Sequence, residues 1–169
     1  MARAGRELKL KGRHRLKEKE ARRILEGLKE NFGIELEEES LDIARLGEVE
    51  VILSRKEPLL FRRPGEVWVP TLYLLLKHPE AKRRVTVDMG GVKAVSGGAN
   101  VMAPGVVDCY REVKEGDIVW VADERHGRPL AVGFALMDSE KMVRERRGVA
   151  VKSLHHVGDR IWEIGAETS

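Results

Sequence analysis

The sequence predicts an α+β protein, a small N-terminal α/β domain followed by a mostly β domain, and three observations carry that expectation. Apolar residues Leu16, Ile24, Leu25, Leu28 and Phe32 recur near a 3.6-residue period before Gly33, which marks a helix in the first third of the chain. From Val85 onward the pattern changes to six short apolar runs punctuated by glycine, the texture of a small barrel or sandwich. Between them, residues 80–84 form a polar stretch directly after Pro79. That stretch is the best candidate boundary, with one domain over 1–82 and the other over 83–169.

Within the first domain the amphipathic helix is predicted over 17–31, with both charge signs on its polar face. Strands follow at 41–46 and 48–53 around Gly47, the second alternating as Glu48, Val49, Glu50, Val51. Two shorter strands, 58–61 and 66–69, flank the turn pair Pro64-Gly65. Pro70 and Thr71 then open a compact apolar helix over 72–77 that ends against Pro79. In the second domain the strands are expected at 85–88, 106–111, 117–123, 129–137, 149–155 and 160–164. Helical patches at 91–95 and 139–146 interrupt them, the second with Ser139 as its N-cap. Trp68, Trp120 and Trp162 fall inside strand patterns and are expected in the core.

Composition excludes several classes of function. Charged residues make up 35% of the 169, yet 31 Lys and Arg nearly balance 28 Asp and Glu, so the chain is no simple polycation. No apolar run approaches the roughly 20 residues of a membrane-spanning helix, and the basic start leads into more charge rather than an apolar signal segment. A cytoplasmic protein with no membrane partner is expected. Cys109 is alone, which excludes an internal disulfide and a cysteine-based zinc site. Glutamine is absent and only Asn31 and Asn100 are asparagines, a depletion of thermolabile amides that heat-adapted proteins share.

Charge is unevenly spread. Residues 1–23 carry ten Lys or Arg against three Glu, whereas 24–50 carry two against nine acidic residues. Two readings of the basic arm, Arg3 to Arg23, stand side by side: a tail that touches RNA, or an ion-pair network with the acidic stretch.

The most unusual segment is DMGGVKAVSGGANVMAPGV, from Asp88 to Val106, with five glycines in close succession. Glycines expose N–H groups and admit positive φ, so such a loop can hold a phosphate or a base edge. The same glycines can equally turn a tight barrel corner. No GxGxxG or Walker signature is present.

With VTVDMGGVKAVSGGANVMAPGV, GDIVWV, PLAVGFALMDSEKM and RGVAVKSLHHVGDRIWEIG, the segment from Arg83 to Gly165 resembles the PUA domain, an RNA-binding pseudobarrel. The preceding LLFRRPGEVWVPTLYLLLKHPE looks like the end of the N-terminal domain in the family of the malignant T-cell amplified sequence protein. The resemblance implies a small α/β domain on a PUA pseudobarrel, in a factor that binds structured RNA and acts with a protein partner on the small ribosomal subunit. Onto this chain it carries an RNA-facing role for Lys93, Gly97, Gly98, Ala99, Asn100, Met102, Pro104 and Gly105.

Residue chemistry is compatible. Asn100 offers a donor and an acceptor, and Lys93 a phosphate contact. Arg144, Arg146 and Arg147 form a second basic cluster, either RNA-facing or a solvated helix end. Arg62, Arg63, Arg83 and Arg84 flank the boundary and read equally as solvated charges. His155 and His156 point to opposite faces of a strand, a poor geometry for joint metal ligation, and structural roles are expected for both. Cys109 has no neighbouring base and Asp88 is expected to accept loop N–H groups, so no catalytic set, cofactor or metal is expected. The expected function is non-catalytic binding of structured RNA, transfer RNA or ribosomal RNA, in translation initiation or small-subunit recycling. The alternatives are an accessory module of RNA modification and a protein adaptor without an RNA role.

Overall fold

The computed structural model describes residues 9–37 and 40–167. Its first strand, β1 (Lys11–Arg15), escapes the sequence pattern because all five residues are exposed. It forms by antiparallel pairing with β2 (Leu41–Leu46), and Arg13 and Arg15 grip Asp42 at 2.8 and 3.0 Å. The Arg13 hydrogen bond, more than that of Arg15, holds the Asp42 carboxyl below its ordinary value. Ion pairing with the acidic stretch therefore holds for these two arginines of the basic arm, while Arg3 and Arg6 lie outside the described residues.

Helix α1 (Glu18–Phe32) buries Leu25, Leu28 and Phe32, and the N–H of Gly33 returns to the Lys29 carbonyl to end it. With β3 (Val49–Ser54), β4 (Glu57–Arg62) and β5 (Val69–Pro70), the first two strands make an antiparallel sheet in sequential order. The strand expected over 66–69 shrinks to β5, because Pro64-Gly65 and Glu66 are spent on the turn. Trp68 consequently lies outside any strand, half-buried beneath the Arg62 guanidinium 4.3 Å from its ring centre. Thr71 caps α2 (Leu72–Lys77): its hydroxyl accepts from Leu74 N–H at 3.2 Å and donates to the Pro58 carbonyl at 2.8 Å.

The second domain comprises β6 (Arg84–Val87), α3 (Val92–Ser96), β7 (Val101–Met102), β8 (Val106–Cys109), β9 (Ile118–Asp123), β10 (Pro129–Ala135), α4 (Ser139–Arg144), β11 (Val149–His156) and α5 (Arg160–Glu167). The sheet runs β7-β11-β10-β9-β6-β8, with only the β6–β9 pair parallel. Its edge strands β7 and β8 are consecutive in the chain, joined by the 3₁₀ turn Ala103–Gly105. That short link keeps the two sheet edges near each other without a hydrogen-bonded ladder between them, so the sheet curls into a pseudobarrel rather than a closed barrel.

Two expectations are corrected here. The segment 160–164 is a helix, because Asp159 Oδ1 accepts the Trp162 N–H at 2.9 Å and Ile161 and Ile164, three residues apart, share the buried face. Trp162 accordingly sits on that helix, half-buried and stacked on Tyr73 with ring centres 4.7 Å apart. The N-cap of α4 is Asp138 rather than Ser139: the carboxylate accepts from Lys141 N–H at 2.9 Å, and Ser139 begins the helix.

Strand β9 explains how the halves are joined. All six of its residues are buried, and the two-residue period sends Ile118, Trp120 and Ala122 into the core built by α1, the first sheet and α2. Val119 and Val121 point the other way, into the barrel. One strand is thus the wall between two cores. Trp120 is wholly buried there, its indole N–H shared between the Ala81 and Lys82 carbonyls at 3.3 and 3.0 Å. On the same seam Gly165 of α5 faces the Tyr73 ring so closely that a Cβ would fall 2.0 Å from it. Only glycine allows α5 to approach α2 at that point.

Candidate nucleic-acid interface

The glycine segment starts where β6 ends. Asp88 Oδ1 accepts the Gly91 N–H at 3.1 Å and so turns the chain into a 3₁₀ turn, Met89–Gly91, and then α3. Gly97 closes that helix with its N–H on the Lys93 and Ala94 carbonyls, and the Ala99 N–H also returns to Ala94. Gly98 takes φ of +102°, and a Cβ there would fall 2.8 Å from Nε2 of His156. The His156 ring therefore lies directly on the loop backbone. Its Nδ1 faces the carbonyls of Ser96 at 3.2 Å and Val157 at 2.9 Å, so Nδ1 carries the proton and donates.

Asn100 has a narrower role than its chemistry allows. Its Oδ1 accepts the Ser153 N–H at 2.9 Å, which fastens the loop to β11 and leaves only the amide nitrogen outward. Met102 pairs with Val149 across β7 and β11 and is half exposed, at 50%. The turn after it is tied at both ends: Ala103 N–H donates to the Gly148 carbonyl at 2.8 Å, and Asp88 N–H to the Gly105 carbonyl at 2.9 Å.

Between them, Arg146 Nη2 donates to the Pro104 carbonyl at 2.7 Å. Arg146 adopts φ of +52°, a conformation uncommon for a residue with a side chain, so the backbone holds this guanidinium over the turn at some local strain. The two groups of residues singled out in the sequence, the glycine segment and the basic cluster, are brought into contact by this bond. Arg144 is instead paired with Glu140 at 3.0 Å on its own helix. Lys93 and Arg147 are exposed, and their side chains make no hydrogen bond or ion pair among the described residues.

The remaining chemistry is quiet. Burial pushes the Cys109 thiol up to about 11, a hydrogen bond with Ser139 notwithstanding, so at neutral pH it is protonated. Among the described residues no group of three or more His, Cys, Asp or Glu could hold a metal, and no helix is long and apolar enough to cross a membrane. His155 is wholly buried and reaches the other domain: the Leu72 N–H donates to its Nε2 at 3.1 Å, and its Nδ1 bonds Asp159 at 2.7 Å. The doublet His155-His156 was visible in sequence, but which of the two serves the seam and which the loop was not.

A six-stranded pseudobarrel carrying a cation-flanked glycine turn is the architecture of a PUA-domain protein. The profile of that domain matches residues 83–157, and the profile of a domain of unknown function, DUF1947, matches 12–78. An uncharacterized protein of Methanocaldococcus jannaschii is 46% identical over 125 residues, which is 74% of this chain and 76% of that one. A crystal structure of a hypothetical protein from Pyrococcus horikoshii superimposes with a TM-score of 0.84 at 36% identity, over 91% of this chain and 99% of that one. This chain, in which a DUF1947 domain precedes a PUA domain, belongs to their family. Translation machinery-associated protein 20 of Saccharomyces cerevisiae is 33% identical over 117 residues, and the match spans 64% of the yeast protein. Proteins of the malignant T-cell amplified sequence family are among the relatives as well, as the sequence motifs had implied.

Proposed function

We propose that this protein is a non-catalytic factor that binds structured RNA, either transfer RNA or the RNA of the small ribosomal subunit, during translation initiation or subunit recycling, beside a protein partner on that subunit. The observation that carries this reading is the junction of Arg146 with the Pro104 carbonyl, which sets this cation, with the exposed Arg147 next to it in the chain, against the glycine turn that follows the exposed Met102. Cations position a phosphate backbone, and exposed apolar groups and turn N–H groups meet bases and sugars. Relatives named for the translation machinery support the cellular setting.

The test is binding of purified protein to transfer RNA and to isolated small subunits across a salt series. Affinity is expected to fall steeply with salt, and Lys93→Ala with Arg147→Ala is expected to flatten the logarithmic slope by about 1 to 2, one for each lost phosphate contact. Both side chains are solvent-facing, so stability is expected to stay within about 0.5 kcal/mol of the parent. Binding that ignores salt, or that the double variant leaves unchanged, would sink the reading in favour of a protein adaptor. Preference between the two RNAs, measured side by side, assigns the step.

A further inference from the structure

A cleft of about 320 Å³ opens between the two domains, where neither the glycine turn nor the basic cluster lies. Its walls are apolar: Phe61 and Val69 from the first domain face Phe134, Leu154 and Ile161 from the second. Polar groups sit at its edge and half of them are already committed, while the Glu66 carboxylate makes no hydrogen bond or ion pair among the described residues. Arg62 binds Glu50 at 2.9 Å and the Glu66 carbonyl at 3.2 Å. Asp159 accepts from His155, His156 and Trp162. The guanidinium groups of Arg63 and Arg160 are not committed: among the described residues neither makes a hydrogen bond or ion pair, and both line the cleft.

His156 connects this cleft to the glycine loop. One part of its ring covers Gly98, and the same side chain lines the cleft. Because Nδ1 is tied to two carbonyls, the neutral ring leaves Nε2 as an acceptor. The volume is at the lower end of the roughly 300 to 1,000 Å³ usual for small-ligand pockets. It fits one nucleotide-sized group and is too small for a helix or strand of a partner protein. An apolar slot with one accessible aromatic wall, Phe134, suits the face of a base, and two free guanidiniums at its mouth suit the phosphate attached to it.

We infer that the interdomain cleft is a subsite for a single unpaired nucleotide of the bound RNA, with the base against the half-buried Phe134 and Leu154 and its phosphate at Arg63 and Arg160. The inference rests on the RNA-binding reading above and adds a second point of contact, which requires the RNA to carry an unpaired residue. The DUF1947 domain then contributes half of an RNA site rather than serving only as a partner for the barrel.

The experiment compares a blunt RNA hairpin with the same hairpin bearing a short single-stranded 3′ overhang, and adds a titration with adenosine 5′-monophosphate followed by amide resonances. The parent protein is expected to prefer the overhang by about tenfold, as stacking of one base on an aromatic wall would give. Arg63→Ala with Arg160→Ala, and separately Val67→Trp, which fills the mouth from a position 61% exposed, are expected to erase that preference and leave the blunt hairpin nearly unaffected. The nucleotide is expected to shift resonances of Leu154, His156 and Arg160. Equal affinity of the parent for both hairpins, or equal loss for both in the cleft variants, would overturn the subsite while leaving RNA binding intact. Failure of the parent to bind either hairpin, with no resonance shifts in the cleft, would remove both readings together.

Discussion

Two adjacent histidines divide the labour of this molecule. His155 faces the seam, wholly buried, with both ring nitrogens bonded and its ring centre 5.3 Å from that of Phe61 in an edge-to-face contact. His156 faces the glycine loop, half-buried, with one nitrogen tied and the other left open beside Gly98. The seam satisfies its polar groups internally, through Trp120, Thr71 and Asp159, and so it holds the domains without needing a ligand. Around the loop, the Lys93 and Arg147 side chains have no partner among the described residues and Met102 is left to solvent, which is what a binding surface requires. Internal satisfaction separates the seam from the proposed RNA-facing loop more clearly than charge or burial alone.

The largest expected effect breaks the seam. Trp120→Ala removes a fully buried ring at the junction of two cores and is expected to destabilise the protein by about 3 to 5 kcal/mol, measured by urea unfolding. A loss under about 1 kcal/mol would mean that β9 does not weld the two domains.

A second test acts on the same region through pH. Burial pushes the Asp159 carboxyl up, but hydrogen bonds from His155, Trp162 and His156 outweigh it and hold the carboxyl below its ordinary value of 3.8. A depressed carboxylate contributes stability that is present above the unfolded value and is lost as pH falls through the folded one. Acid unfolding of the parent should therefore steepen below pH 3.8, and Asp159→Asn should reduce that steepening while lowering stability at neutral pH. An unchanged acid limb in the variant would show that the seam does not depend on this carboxylate.

The smallest expected effect sharpens the comparison from the loop side. Gly98→Ala forces a side chain into positive φ against the His156 ring and is expected to cost about 1 to 3 kcal/mol. Because the strain falls on the loop, RNA affinity should drop further than stability does, read as binding at a temperature well below the melting transition. Equal effects on both would make His156 part of the seam rather than of the loop.

Much of the fold was legible along the chain. Thr71 and the leucines after it announced α2, and the apolar run of β9 announced a strand. β1 was not legible, because five exposed residues have no apolar period and the strand exists only through its pairing and the Asp42 clasp. Isoleucines and a tryptophan at 161–164 fit a strand as readily as a helix over so short a run; capping by Asp159 and the buried face decided it. Of the candidate site, the motif placed Gly97, Gly98, Pro104 and Gly105 in one loop, but the contact between Arg146 and Pro104 spans 42 residues and left no local mark.

By itself, then, the sequence determined the fold class, the order of most elements and the glycine segment, since periodicity, turn residues and loop motifs are written between near neighbours. Tertiary structure alone decided which face of β9 belongs to which core, which histidine serves the seam, and that a cleft lies between the domains. Those outcomes rest on partners far apart in the chain, such as Leu72 and His155 at a separation of 83 residues or Asn100 and Ser153 at 53. A buried donor must find its acceptor, but no local pattern records where along the chain that acceptor will be.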